Sequence, residues 1–196
     1  MNMATAKRPY RMTARAEAAQ ETAERIMDAA IEVFWEQPTD QVSVAEVARR
    51  SGVTKQTVLR RFGSREGLFA AAGEREATRI EAERDPGVAD DLGGAIRGLV
   101  DHYERVGDAV VRLLAAEASN PALAEIADRG RAYHAAWCER AFAPALSSLR
   151  GAARARRLAQ CIAVTDVLVW KLLRRDRALS RRQTETAILE LAERLA

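Results

Sequence analysis

The stretch from Ser43 to Phe69, SVAEVARRSGVTKQTVLRRFGSREGLF, constrains the fold of this 196-residue chain more than any other. Ser43 is a good N-cap for a helix beginning at Val44, and Glu46 three residues on completes the S-x-x-E pattern of a capping box. Val44, Val47 and Ala48 fall on one face of that helix, which stops where Gly52 can take the left-handed conformation of a tight turn. Thr54 then caps a second helix, KQTVLRRF, with Val53, Val58 and Phe62 directed inward. Ala48 is small enough for the two helices to cross closely. Gly63 and Ser64 end the second helix and start a third, which carries Leu68 and Phe69. The spacing of Ala48, Gly52, Val53 and Val58 is that of a helix-turn-helix.

Charge gives this frame a direction. No acidic residue stands between Glu46 and Glu66, while Arg49, Arg50, Lys55, Arg60, Arg61 and Arg65 all do. Lys7, Arg8, Arg11 and Arg15 likewise make the first sixteen residues basic without an acid among them. The net charge of +3 is too small to argue for nucleic acid by itself, so the concentration of cations in the first third carries the argument.

The rest of the chain reads as helix throughout. Residues 1–16, polar, basic and holding Pro9, are expected as a flexible arm. Glu17 to Trp35 form a helix with Ala23, Ile26, Ala30, Val33 and Phe34 in its apolar stripe, ended by Pro38. The helix from Ser64 continues to about Glu83 and stops before the breaker Asp85-Pro86-Gly87. Helices follow over Asp91–Val106 and Asp108–Ala118, with Gly107 separating them. The next starts at Asn120-Pro121 and runs past Tyr133 and Trp137 to Phe142, with Pro144 as a kink or stop.

Arg154 to about Arg175 is expected as one helix, apolar around most of its circumference, and Ser180–Leu195 as a second with a broad apolar stripe. That is more apolar surface than one core of this size uses, and pairing with a second copy would bury the surplus. The fold class is therefore all-α. A three-helix helix-turn-helix DNA-binding domain over 17–75 is followed by a larger helical dimerisation domain over 76–196.

The layout resembles the TetR family, the tetracycline-repressor-like transcription regulators of bacteria. The likeness is carried by Phe34, Ser43-Val44, Val47-Ala48, Gly52-Val53-Thr54, Thr57, Phe62, Gly63-Ser64-Arg65-Glu66 and Leu68. The chain departs from the family pattern at Leu59, where a tyrosine is usual, at Arg61, where an aromatic or histidine is common, and at Pro38-Thr39. The resemblance implies a ligand-responsive transcriptional regulator, a repressor by default, that binds a palindromic operator in double-stranded DNA as a homodimer. A small-molecule effector would release it.

Side chains that reach base edges from a major-groove helix must be long and carry suitable donors. Lys55, Gln56 and Arg60 qualify, with Gln56 and Arg60 sharing one face at i, i+4. Ser43, Thr54, Thr57, Arg61 and Arg65 are assigned to phosphates, the hydroxyls lying near helix N-termini where an anion is favoured. Arg49 and Arg50 stay open between a DNA contact and ordinary helix-end charges. The Arg154–Arg157 and Arg174–Arg182 clusters are expected as solvated helix ends.

An effector pocket is expected among Tyr103, Tyr133, Trp137, Asp166 and Trp170. Asp166, among Ile162, Ala163, Val169 and Trp170, would be a buried carboxylate in need of a partner or a proton. His102 and His134 are expected as ordinary surface or core residues. Ile162, Val169, Leu172, Ile188, Leu191 and Leu195 are the expected dimer contacts.

Other classes have less to stand on. No HExxH, glycine-rich phosphate loop or Cys/His ligand cluster is visible, so neither an enzyme nor a cofactor or metal site is expected. An architectural DNA-binding protein would need more charge and no large second domain. A redox sensor would have to use Cys138 and Cys161, which fit buried thiols in a reducing compartment better. The absence of a leader or an apolar run of about 20 residues gives a cytoplasmic expectation with no membrane partner.

Overall fold

A computed structural model describes residues 7–37, 42–85, 88, 91–119 and 121–196, and every regular element among them is helical. The long helices are α1 (Lys7–Glu36), α4 (Arg65–Arg84), α5 (Leu92–Ala116), α6 (Pro121–Ala141) and α8 (Gly151–Thr165). The shorter ones are α2 (Val44–Ser51), α3 (Lys55–Phe62), α7 (Ala143–Ser147), α9 (Val167–Lys171) and α10 (Arg181–Glu193). A 3-10 turn covers Glu117–Ser119 and a π-helical turn Leu172–Asp176. The chain divides into two units between Arg75 and Glu76, so that α4 begins in the first and ends in the second.

In the first unit, Ile26, Ala29, Ala30 and Val33 of α1 meet Val44, Val47 and Ala48 of α2, Val58 of α3, and Leu68 and Ala72 of α4. Val53, Leu59, Phe62 and Phe69 close the edges of this core. Its beginning differs from expectation. Residues 7–16, expected as a flexible arm, are the first turns of α1. Pro9 falls in the opening turn, where a helix makes no use of the missing N–H, and the alanines and arginines that follow are good helix formers. Pro38-Thr39, Pro86-Gly87 and Asn120, the expected stops and cap, lie outside the described residues, as do residues 1–6.

The second unit is built around α5, which packs against α6, α9 and α10, while α8 lies on α6 and α10. Its core holds Ile96, Leu99, Val100, Tyr103, Trp137, Phe142, Trp170 and Ile188. Two expected boundaries differ. Gly107 does not end a helix, because α5 runs through it from Leu92 to Ala116. The single helix expected over 154–175 is instead broken at Asp166, whose backbone is extended (φ −69°, ψ 149°) and whose carboxylate accepts the Leu168 N–H at 2.8 Å. Aspartate gains more as an N-cap than inside a helix, so it resets the chain into α9.

The two arginine clusters are anchored as well. Arg174 donates to Glu104 at 2.9 Å, Arg175 to Asp108 at 2.9 Å, and Arg181 to Asp101. The three acids sit at i, i+3 and i+7 on α5 and form one face of that helix. Arg154 pairs with Glu139 at 3.2 Å, and Arg157 donates to the Leu195 carbonyl at 2.7 Å. These five arginines tie the last third of the chain to α5, α6 and its own C-terminal turn, while Arg156, Arg177 and Arg182 are exposed as expected.

Candidate functional site

The first candidate is the exposed side of the helix-turn-helix. Gly52 adopts φ 70° and donates its N–H to α2 carbonyls, ending that helix in one residue. The Val53 N–H follows to the Ala48 carbonyl at 3.0 Å. Thr54 then caps α3, its hydroxyl accepting the Thr57 N–H at 3.1 Å and meeting the Thr57 hydroxyl at 2.9 Å. Val58 is fully buried and Phe62 partly so, while Lys55, Gln56, Arg60 and Arg61 are all exposed, Gln56 and Arg60 on the face opposite Val58. Ser43 and Thr54, also exposed, stand at the N-termini of α2 and α3, and Thr57 is half-buried.

Three intramolecular contacts here are not visible in the sequence. Ser43 caps α2, its hydroxyl accepting the Glu46 N–H at 3.2 Å, but the Glu46 carboxylate is turned the other way. It takes Arg49 at 2.7 Å and Arg50 at 2.8 Å, and those bonds, Arg49 foremost, hold its carboxyl well below the usual carboxylate range. Arg50 also reaches Glu36 on α1 at 2.6 Å. Arg49 and Arg50 are thus charge-paired, whereas α3 carries its cations without an acid on the same helix. Arg65, expected at a phosphate, donates from Nε and Nη2 to the Val42 carbonyl, both at 3.2 Å, and lies 5.4 Å from the Phe69 ring centroid. It pins the segment entering α2 to the start of α4.

The second candidate is a polar cluster inside the second unit. Arg84, the last residue of α4, is 8% exposed, and its guanidinium carbon lies 5.0 Å from the ring centroids of both Tyr133 and Trp137. Its Nη2 is 3.4 Å from His134 Nδ1, while its Nε has no hydrogen-bond partner. Nδ1 accepts from Arg84, so a neutral His134 carries its proton on Nε2 and donates it to the Thr165 hydroxyl at 3.1 Å. Thr165 in turn donates to the Cys161 carbonyl at 2.7 Å, and Cys138 Sγ lies 3.4 Å from the same hydroxyl.

Burial first, then the Arg84 charge, pushes His134 down to about 4 and His102 down to about 3. His102 is 6% exposed, and its Nδ1 has no partner. Burial also pushes the Cys138 thiol up to about 11, and both cysteines are free and buried. No group of three or more His, Cys, Asp or Glu suited to a metal occurs among the described residues.

The expected pocket residues divide around this cluster. Tyr133 and Trp137 flank Arg84. Tyr103 donates its hydroxyl to the Thr165 carbonyl at 3.0 Å. Trp170 is fully buried in packing, with its Nε1–H on Glu104 at 3.0 Å and the Arg175 guanidinium 4.6 Å from its ring centroid. Asp166, half-buried, serves as the cap of α9. Sequence reasoning misses Arg84 and Thr165 and reads His134 as ordinary. An arginine just before a chain break and a threonine in an apolar run give no sequence signal that they will be buried together.

Of the expected dimer contacts, Leu172 and Leu191 are among the three most exposed large hydrophobic side chains of the described residues, at 48% and 47%, joined by Leu168 at 53%. Ile162, Val169 and Leu195 are partly buried. Ile188 is completely buried in its own unit and is unavailable to a second copy. No helix among the described residues is long and apolar enough to cross a membrane.

Residues 26–72 match the family described as "Bacterial regulatory proteins, tetR family". An uncharacterized HTH-type transcriptional regulator of Mycobacterium tuberculosis is 32% identical over 102 residues, a match covering 52% of this chain and 46% of that protein. The chain thus spans about half the length of the curated relatives it matches. Among solved structures, a transcriptional regulator of Rhodococcus sp. RHA1 superposes with a TM-score of 0.68 at 19% identity, over 88% of this chain and 95% of its own. A TetR-family regulator of Rhodococcus sp. gives 0.68 at 20% identity, over 89% and 98%. At such identities the likeness is one of fold: an N-terminal helix-turn-helix followed by a helical second unit.

Proposed function

We propose that this chain, a TetR-family transcription regulator, is a ligand-responsive repressor that binds a palindromic operator as a homodimer and is released by a small-molecule effector. The observation that carries the reading is the division of α3. Val58 is sealed in the core, while Lys55, Gln56, Arg60 and Arg61 stand exposed on a helix whose N-terminus is capped by Thr54. Lys55, Gln56 and Arg60 read base edges; Ser43, Thr54, Thr57 and Arg61 hold phosphates. Arg65 supports them by fixing the entry to α2, with its remaining charge toward the backbone.

Two copies would place their α3 helices about 34 Å apart in successive major grooves. The apolar side chains left exposed on α9, the π-turn and α10 are the surface for that pairing. An effector bound in the second unit acts through α4, which begins beside the helix-turn-helix and ends at Arg84. A ligand that prefers one setting of α4 shifts the population of DNA-competent dimers. Its DNA target would place the regulator in the cytoplasm.

Selection of genomic fragments followed by fluorescence anisotropy at physiological salt tests the reading. A two-fold symmetric site that outcompetes random DNA by orders of magnitude supports it. Uniform affinity for all fragments would remove it.

A further inference from the structure

We propose that the second unit binds a small organic carboxylate on the buried guanidinium of Arg84. The inference deepens the effector reading above and rests on it. Three observations carry it.

Arg84 is more than nine-tenths buried, yet no carboxylate among the described residues accepts from it; its polar contact is the His134 imidazole at 3.4 Å. A buried guanidinium without a counter-charge is costly, and aromatic rings at 5.0 Å offset only part of that cost. The available donors also have a particular geometry. Nε is without a partner and Nη2 makes only a long contact, and these two nitrogens form the edge with which arginine grips a carboxylate through two parallel hydrogen bonds. Finally, His102 keeps a buried Nδ1 with no partner in the same unit, a second polar group awaiting a bond.

The charge count selects the ligand class. Burial and the nearby Arg84 charge hold both histidines neutral at physiological pH, and Arg105 and Arg79, whose charges also reach His102, are paired with Glu83 and Glu76, so the site offers one uncompensated positive charge and suits one negative charge. A phosphate monoester, with nearly two charges, would leave an excess buried. Tyr133 and Trp137 beside the guanidinium favour an acid with an apolar body. Because Arg84 ends α4, occupation of this site bears directly on the helix that enters the second unit.

The test uses the full chain and a panel of benzoate, phenylacetate and hexanoate, each paired with its neutral amide, together with inorganic phosphate. Thermal melting and tryptophan emission are the readouts. At least one carboxylate should raise the melting temperature while its amide and phosphate do not, and Arg84→Met should weaken that response by more than about tenfold. Without ligand, Arg84→Met should melt above the parent, because an uncompensated buried charge has been removed. If that variant fails to fold, Arg84→Lys, which keeps the charge but loses the paired edge, should fold and still bind carboxylate more weakly.

A panel without effect, an equal response in the Arg84 variants, a response to amides, or a ligand-free Arg84→Met that folds but melts lower would each overturn the proposal. Carboxylate binding that leaves operator affinity unchanged would keep the site and remove the regulatory reading. Operator release by another class of compound, with the carboxylates silent, would do the reverse.

Discussion

Gly107, in the middle of α5, lies directly against the indole of Trp170: a β-carbon on Gly107 would stand 2.7 Å from Trp170 Cη2 and 2.8 Å from Cε3. The ring has no slack to move away, since its N–H is held by Glu104 and Arg175 lies over it. Glycine is used here for space, within an unbroken helix. Gly107→Ala should therefore destabilise the protein by about 1–3 kcal/mol from overpacking, even after the gain of up to about 1 kcal/mol from helix propensity. Gly98, exposed on the same helix, provides the contrast, because a β-carbon there would meet nothing within 4 Å. Gly98→Ala should stabilise by about 0.5–1 kcal/mol. Urea unfolding of both variants checks the pair, and a stabilising Gly107→Ala would contradict the packing account.

Stability should fall as pH drops below neutrality. His102 and His134 have folded-state values near 3 and 4 against an ordinary 6.5, with burial the larger cause in each. Between those values and 6.5 the unfolded chain binds protons that the folded chain refuses. Stability is therefore complete above about pH 6.5, declines through the window down to about 4 for His134 and 3 for His102, and levels off below. The slope approaches about 1.4 kcal/mol per pH unit for each histidine. His102→Phe should remove one histidine's share at little cost, because His102 Nδ1 has no bond to lose. Equal melting curves for parent and variant from pH 7 to 5 would count against the assignment.

The cysteines should be silent in the folded protein. Cys138 and Cys161 are fully buried, and burial raises both thiols, Cys138 to about 11. The thiolate is the reactive form, so labelling by a disulfide reagent at pH 7.5 should proceed only through unfolding. Its rate should follow denaturant concentration. Fast labelling of one cysteine in native buffer would revive the redox-sensor reading.

Much of the first unit is legible in the sequence because its signals are local. Ser43, Gly52 and Thr54 act on backbone within four residues of themselves, and the Val47, Ala48, Val58 pattern is read directly as an inward face. The second unit is less legible where long-range contacts override local signals. Gly107 reads as a helix stop until Trp170, more than sixty residues later, shows why glycine is needed. Asp166 reads as a buried carboxylate inside a helix, and only the break in the backbone turns it into a cap. Asp101, Glu104 and Asp108 form a stripe visible in the sequence, but their partnership with Arg181, Arg174 and Arg175 is a fact of packing. Arg84 carries no local signal of burial at all.

On DNA, the exposed polar side chains of α3 should separate by role. If Arg61 holds a phosphate as proposed, Arg61→Ala should lower affinity alike on all sequences and take roughly one unit from the slope of the salt dependence. Gln56→Ala and Arg60→Ala should instead cost about 1–3 kcal/mol on the preferred site and relax its specificity. Arg65→Ala should lower the melting temperature as well as affinity, since it releases the Val42 carbonyl. Anisotropy titrations at several salt concentrations distinguish these patterns; a change of site preference on Arg61→Ala would reassign that residue to base reading.

Leu168, Leu172 and Leu191 are the large apolar side chains left most exposed among the described residues, and all three lie in the last thirty residues of the chain. Their neighbours Trp170 and Ile188 are fully buried, so these leucines are what the unit's own core does not use. If they pack against a second copy, a carboxylate placed there must be desolvated with no partner. Leu172→Glu and Leu191→Glu should then raise the dimer dissociation constant by on the order of a hundredfold or more. The monomer fold should survive, because neither side chain belongs to the buried core. Arg129→Glu, exposed on α6, should leave association unchanged. Sedimentation equilibrium reads the outcome, with circular dichroism to establish that each variant is folded. Folded Leu172→Glu and Leu191→Glu variants that associate like the parent would place the dimer contact elsewhere, and operator binding by those variants should fail in step with the dimer if the two-fold reading of the site is correct.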